Sequence, residues 1–565
     1  MTNLRISLAQ INTSVGDIYG NVDKILFYLH EARKLESDIV AFPELAITGY
    51  PPEDLLHKEQ FIKSNTVAMQ QIVQASKDII VIFGFADFDG STLYNSSALA
   101  FDSKIIGVHR KHLLPNYGVF DEQRYFSRGD TCDVFKINNT KIAMNICEDI
   151  WSDNGPLNSQ SKKGASIIIN INASPFHINK RVIREQTIID QAIKNNVQIA
   201  YVNQVGGQDE LVFDGSSMIV NNKGEIKSRA NQFNEELITT DVSITDSLSI
   251  SSDKDTFHIP KTISEKTTNI PAKLTDPIAP IEEIYQALII GTRDYVHKSG
   301  FEKVIIALSG GIDSSLVAAI AVKAFGKDNV IGISMPSEFS SEGSKTDAYK
   351  LSENLGISIE TIPIHDIFSV IQKSLEPMFI NLPWDVTEEN IQSRIRGNII
   401  MALSNKFKSM VLTTGNKSEM AVGYATIYGD MAGGFSVIKD VPKLKVYELC
   451  KHINNEKEII PLSIIDKPPS AELRHNQQDT DSLPPYEVLD AILEEYVEND
   501  SSYEDIITAG FDTNIVSKII NLVDKTEYKR RQSAPGVKVT NKNFGRDRRI
   551  PITNKYSPFK TKDTY

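Results

Sequence analysis

Cysteine is nearly missing from this chain. Cys132, Cys147 and Cys450 are the only three in 565 residues. So few thiols exclude a disulfide framework and lead us to expect a reducing, cytoplasmic setting. Long apolar runs are missing as well. No stretch reaches the roughly 18 residues of a membrane-spanning helix, and the opening "MTNLRISLAQIN" has no apolar signal-peptide core. An excess of positive charge is also lacking. Lys and Arg number 60 against 73 Asp and Glu, a net −13, which argues against non-specific nucleic-acid binding. It leaves room for small anions in a local cationic pocket. No internal repeat is found. What is there is ordinary globular composition, 41% hydrophobic and 24% charged, in a chain too long for a single core.

Organisation changes twice along the chain. Up to about residue 240, short apolar or alternating runs such as "LRISLAQIN", "DIVAFPEL", "DIIVIFGF", "KIAMNICED", "SIIININ" and "IAYVNQ" alternate with helical patterns at 21–34 and Lys180–Asn195. Such alternation predicts an α/β domain with buried sheets over 1–242. Residues 243–280 are rich in Ser, Thr, Lys and Pro without a sustained period, and read as a linker or surface excursion. From 281 to 565 a helix (281–298) precedes strand–helix alternation. The strands are "VIIALSG", "NVIGISMP", "ISIETIPI" and "SMVLTTG", and the helices lie near 342–355, 366–375 and 388–407. This order predicts a doubly wound parallel sheet with ligands at the carboxyl ends of its strands, followed by a helical C-terminal part.

Three residues in the first domain leave apolar runs with chemistry attached. Cys147 ends "IAMNIC" and precedes two acids, Glu44 follows "VAFP", and Lys111 follows "IIGVHR". A cysteine at a strand end is most simply a buried core thiol. A carboxylate after a buried strand is costly without a partner. A base that takes a thiol proton and a cation that steadies the resulting anion would make a nucleophile of it.

"FPEL", "RKHLLPNYGVFDEQRYF" and "CEDIW", in that order, resemble the nitrilase (carbon–nitrogen hydrolase) superfamily, and its glutaminase branch in particular. The resemblance implies an αββα sandwich. Glu44 would be general base, Cys147 nucleophile and Lys111 the charge beside the tetrahedral intermediate, with the Glu148 amide in the oxyanion hole and Glu122 a supporting acid. Tyr117, and Ser174 and Lys180 in "NASPFHINKR", match positions that hold the amino-acid end of L-glutamine. Cys132 and Cys450 lack such surroundings and read as structural.

The run "VIIALSGGIDSSLVAAIAVKAF" is strand, glycine turn and helix. Such a junction aims free amides and a positive helix end at one point, where phosphate sits. No Gly-Lys-[Ser/Thr] follows, and an acid lies inside the loop. "LSGGIDSS" resembles the phosphate loop of ATP pyrophosphatases, which cleave ATP between the α and β phosphates. By that match Leu308, Ser309, Gly310, Gly311, Ile312, Asp313, Ser314 and Ser315 bind ATP, with Asp313 on Mg²⁺. "LTTGNKSEMAVGYATIYGD", "EENIQSRIRGN" and "EYKRRQSAPGVKVTNKNFGRDRR" resemble the NAD synthetases, the last the glutamine-dependent ones. The match implies that Thr414 and Lys445 contact ATP and that Asn390 and Lys529 meet deamido-NAD⁺. Glu419 would serve as a second metal ligand or lie against the dinucleotide. Arg394 and Arg396 read equally as helix-surface or interface charges.

The two motif sets on one chain imply an ATP-dependent carbon–nitrogen ligase with glutamine as amido donor. Its substrates would be L-glutamine, ATP and deamido-NAD⁺, with Mg²⁺, no nucleic acid and no membrane, in a homo-oligomer. The alternatives are an amidotransferase of the same architecture acting on another carboxylate, and a catalytically silent scaffold, against which the intact Glu44, Lys111, Cys147 and Asp313 speak.

Overall fold

The computed structural model describes residues 2–244, 256–263 and 265–559. The chain divides into two units, 1–279 and 280–565.

The first unit is built on two sheets. One has six strands in the order Glu236–Ile244, Thr2–Gln10, Ile39–Ala41, Ile80–Phe88, Leu93–Phe101, Lys104–Arg110. The other has seven, in the order Ile226–Arg229, Met218–Val220, Gln198–Asn203, Ile167–Asn172, Thr140–Ile146, Val134–Ile137, Thr256–His258. Period-two alternation sorts their side chains. Leu4, Ile6, Leu8, Ile80 and Ile82 meet Ile142, Met144 and Ile169 in the layer between the sheets. Val81 and Phe83 turn the other way, onto Ile25, Leu29 and Ile72 of helices Ile18–Lys34 and Glu59–Gln74. Helix Lys180–Asn195 covers the second sheet through Ile188 and Ala192. The result is the αββα sandwich. Asn179, just before that helix, has φ +67°, a left-handed geometry that asparagine tolerates better than most side chains.

Of the stretch read as a linker, residues 245–255 and 264 lie outside the described residues. The described part crosses the surface of the first unit. Thr256–His258 pairs in parallel with Val134–Lys136, and Thr268 accepts from the buried Arg5 guanidinium through its hydroxyl (3.1 Å) and its carbonyl (2.6 Å).

The second unit holds a five-stranded, all-parallel sheet in the order Ser358–Thr361, Val330–Ser334, Val304–Ala307, Met410–Thr413, Phe435–Ser436. Chain order therefore reverses beside Val304–Ala307, and the crevice at the carboxyl ends of this strand and Met410–Thr413 is the topological switch point. Helices Ile312–Phe325, Glu342–Leu355 and Val386–Phe407 follow their strands as the sequence predicts. Beyond them helices Tyr486–Leu493 and Thr513–Lys525 share a separate apolar cluster built on Leu489, Ile492, Ile519 and Ile520.

A buried ion pair pins helix Lys180–Asn195 in the first unit. Arg184 Nη1 and Nη2 donate to the two oxygens of Asp214 at 2.9 and 2.5 Å, and neither side chain is exposed. Removing one partner strands the other charge in the core. Arg184→Met should therefore cost the first unit about 3–5 kcal/mol, and pairing it with Asp214→Leu should recover most of the loss. Denaturant unfolding in a Trp384→Phe background reads this directly, because Trp151 is then the only tryptophan left.

Candidate active sites

The first site lies where strands of both sheets end. Glu44 follows strand Ile39–Ala41 and is fully buried. Its backbone can lie close over the neighbouring strand because residue 84 is glycine: a Cβ there would stand 2.2 Å from the Leu45 nitrogen. Glu44 Oε1 accepts from Lys111 Nζ and from Asn95 Nδ2, both at 2.7 Å, and Oε2 accepts from the Ala173 amide at 3.0 Å. Lys111 Nζ also donates to Glu122 Oε1 at 2.8 Å, and the Tyr50 hydroxyl donates to the same oxygen at 2.9 Å.

One buried ammonium thus stands between two buried carboxylates. Burial, opposed by Lys111 and reinforced by Glu44, pushes the Glu122 carboxyl up to about 7.

Cys147 leaves strand Thr140–Ile146 on a tight turn with φ +43°, a strained conformation for a side chain with a Cβ. Burial and then Glu44 push its thiol up, against the pull of Lys111. The thiol is thus held towards its neutral form, with Glu44 and Lys111 the charged groups that bear on it most. Around the mouth, the Tyr117 hydroxyl donates to both carboxylate oxygens of Glu148 at 3.1 Å. The Lys180 ammonium sits 3.8 Å over the Trp151 ring, and burial pulls its pKa down. Ser174 is buried, its amide donating to Asn203 Oδ1 at 2.9 Å.

The second site is a cavity of about 290 Å³ at the switch point. Leu308, Ser309, Gly311, Ile312, Asp313 and Ser314 line it, together with Thr414 and Glu419. Gly310 has φ +76°, and a Cβ there would meet the Ser344 carbonyl at 2.1 Å, so only glycine fits. The loop is closed by its own hydroxyls: Ser314 and Ser315 donate to the Gly311 carbonyl at 3.0 and 2.8 Å. Gly310 and Ser315 thus shape the loop from behind the cavity wall.

Asp313 Oδ1 accepts from Asn416 Nδ2 at 2.9 Å, and Asp313 Oδ2 pairs with Lys443. Lys443 also stands 3.7 Å from Glu419. Burial and Asp313, opposed by Lys443, push the Glu419 carboxyl up to about 8. Lys467 Nζ reaches the Gly310 carbonyl at 3.0 Å and Ser344 Oγ at 2.7 Å. Arg396 also lines the cavity, and burial lowers its pKa to about 10.

Three expected residues lie elsewhere. Lys445 is on helix Lys443–Ile453 but pairs with Glu448 at 2.8 Å, 40% exposed. Two residues on a helix turn a side chain through about 200°, so Lys443 faces the cavity and Lys445 faces away. Asn390 and Lys529 are not in the cavity wall. Both hold the loop that supplies Tyr424, Gly429 and Asp430 to it. Asn390 Oδ1 accepts from Thr426 at 2.7 Å, and Lys529 donates to the carbonyls of Gly423 and Ala425 at 2.7 and 2.8 Å. Sequence reasoning missed Tyr50, Asn95, Lys443, Lys467 and Asn416. Only Asn416 left a signal, as an N-cap three residues before Glu419.

The family model for carbon-nitrogen hydrolases matches residues 5–248, and that for NAD synthases matches residues 284–533. The glutamine-dependent NAD(+) synthetase of Thermotoga maritima is 47% identical over 578 aligned residues, covering 98% of this chain and 99% of that one. The enzyme of the same name from Aquifex aeolicus is 45% identical, covering 98% and 100%. The solved structure of glutamine-dependent NAD+ synthetase from Acinetobacter baumannii in complex with adenosine diphosphate superposes with a TM-score of 0.76 at 41% identity, covering 99% and 100% of the two chains.

The proton on Glu122 has a measurable consequence. Its folded pKa of about 7 lies above the ordinary 4.5. The stabilisation from that proton is complete below about pH 4.5 and is lost as pH climbs through 7, by up to about 3 kcal/mol. Glu122→Gln cannot lose a proton, so its stability relative to wild type should improve from about pH 4.5 to about pH 7 and level off above it in the Trp151 unfolding assay. A difference that stays flat with pH would contradict the assignment.

Proposed function

The chain belongs to the glutamine-dependent NAD+ synthetases, and on that premise we propose how its residues divide the work. The enzyme is an ATP-dependent carbon–nitrogen ligase. It takes ammonia from L-glutamine and joins it to deamido-NAD⁺, with ATP giving AMP and pyrophosphate. An amidotransferase acting on another carboxylate is not favoured, since relatives of this name match over nearly the whole chain.

The first unit carries the glutaminase. The observation that supports this best is the 2.7 Å contact of Lys111 with Glu44, buried beside a cysteine held at positive φ. Glu44 takes the thiol proton as Cys147 attacks the carboxamide carbon. Lys111 and the Glu148 amide face the oxyanion. Glu44 then hands its proton to the departing ammonia and activates the water that hydrolyses the thioester. Lys180 and Ser174 hold the amino-acid end of glutamine, with Tyr117 at the mouth.

The second unit carries the synthetase. The amides and hydroxyls of residues 309–315 cradle the pyrophosphate, and Lys443 is the cation beside them. The nicotinate carboxylate attacks the α phosphorus, and ammonia then displaces AMP from the acyl-adenylate. Asn390 and Lys529 shape the loop beside which the dinucleotide lies.

The donor set suits Mg²⁺. Asp313 and Glu419 offer hard carboxylate oxygens, and among the described residues no cluster of three metal-ligating side chains occurs. Magnesium typically takes one or two carboxylates and completes its shell with phosphates and water. When bound, it would draw charge from the departing pyrophosphate. Met378, Ile380, Leu382, Trp384 and Val386 form an exposed apolar run, which supports association with further copies. Unpaired thiols at all three cysteines support work in the cytoplasm.

Cys147→Ala should abolish NAD⁺ formation from glutamine and leave formation from added ammonium intact; loss of both would contradict the division of labour. Lys443→Met should lower pyrophosphate release about 100-fold with either nitrogen source, whereas Lys445→Met should stay within about twofold of wild type, as expected of an exposed ion pair. The reverse order would return the phosphate role to Lys445.

A further inference from the structure

The two key side chains of the first site come from different sheets. Lys111 follows strand Lys104–Arg110 of one, and Cys147 follows strand Thr140–Ile146 of the other. Something must fix the relation between these two strand ends. Asp149, two residues past Cys147 and fully buried, touches both. Its Oδ2 accepts from the Ile146 amide at 3.1 Å and lies 3.0 Å from His109 Nε2. Its Oδ1 accepts from the amides of His112 and Leu113, both at 2.9 Å. His109, His112 and Leu113 bracket Lys111, and Ile146 immediately precedes the nucleophile.

We propose that Asp149 is the positioning residue of the glutaminase site, a clamp that sets the Lys111 strand exit against the Cys147 turn, with His109 as its side-chain donor. The proposal rests on the roles given above to Lys111 and Cys147. An ionised carboxylate only accepts, so His109 must present Nε2–H to it. The buried Nδ1 of His109 has no partner among the described residues, so the ring has no reason to adopt the other tautomer. Burial alone would raise the Asp149 carboxyl, but the His109 bond and the Leu113 and Ile146 amides outweigh it and hold the group below the ordinary carboxylate range.

The arrangement makes asparagine a poor substitute. A carboxamide in place of this carboxylate has one oxygen and one NH₂. Whichever way it is turned, the NH₂ faces either the Ile146 amide or the pair at His112 and Leu113. One strand end is then released while the other stays held. A misplacement of about 1 Å at reacting groups can cost on the order of 100-fold in rate.

The test compares variants of the full-length enzyme in two assays, NAD⁺ formation from glutamine and from ammonium. Asp149→Asn should lower the glutamine-supported kcat about 100-fold, leave KM for glutamine within about threefold, and leave ammonium-supported kcat within about twofold, as expected if binding is untouched. Alkylation of Cys147 by iodoacetamide should slow on the order of tenfold while that of Cys132 does not change. His109→Gln keeps a side-chain donor and should stay within about threefold of wild type, whereas His109→Leu should fall roughly tenfold; this pair decides the matter if Asp149→Asn does not fold. Wild-type glutamine turnover in Asp149→Asn, or equal losses in both His109 variants, would overturn the clamp. Cys147→Ala, run alongside, separates the two readings: if it keeps glutamine-supported synthesis, the site assignment itself fails and the clamp with it.

Discussion

The Lys111 ammonium, fully buried and shared between Glu44 and Glu122, is the constraint on which the first unit depends. A charge in that position is tolerable only if its partners are fixed and the net charge of the group is small. The surrounding fold meets both conditions. Asn95 and the Ala173 amide take up two more lone pairs of Glu44 and leave one on Oε2 open, and Tyr50 orients Glu122. Burial raises the Glu122 carboxyl towards neutrality, which eases the excess of negative charge around the one cation. Each of these groups arrives from a different strand end or loop, so the ion cluster is also what ties the sandwich together at the end that carries Cys147.

The second unit solves a related problem with the same parts in different order. Lys443, also buried, stands between Asp313 and Glu419. Here, though, the acids line a cavity at the switch point, and the lysine lies on a helix whose start is fixed by Ser418 and Asp490. In the first site the lysine is shared by two carboxylates at 2.7 and 2.8 Å; in the second it pairs with one and stands 3.7 Å from the other.

Much of this was legible in the sequence because it is local. Strand ends followed by Glu44, Lys111 and Cys147, the glycine loop at 309–315, and helices such as Lys180–Asn195 and Glu342–Leu355 all depend on near neighbours. What was not legible depends on groups distant in the chain. Asn95 and Tyr50 look like any polar strand residue and any turn tyrosine until the strands are paired. Lys443 and Lys445 differ by two positions in a run of alternating lysines, and only the rotation of the helix decides between them. Asn390 and Lys529 lie close to the second cavity, but they grip the backbone of the loop that shapes it. A motif match identifies such residues without distinguishing contact from support.

The short strand Thr256–His258 adds a last point. It covers Val134–Ile137, which would otherwise be the bare rim of the seven-stranded sheet. That rim presents Val134, Phe135 and Ile137, all buried. Unpaired apolar sheet rims recruit strands from other molecules. The tail that follows the glutaminase motifs therefore works as a hem. A chain cut at residue 242 would keep every residue assigned to glutamine chemistry and still be prone to stick to itself.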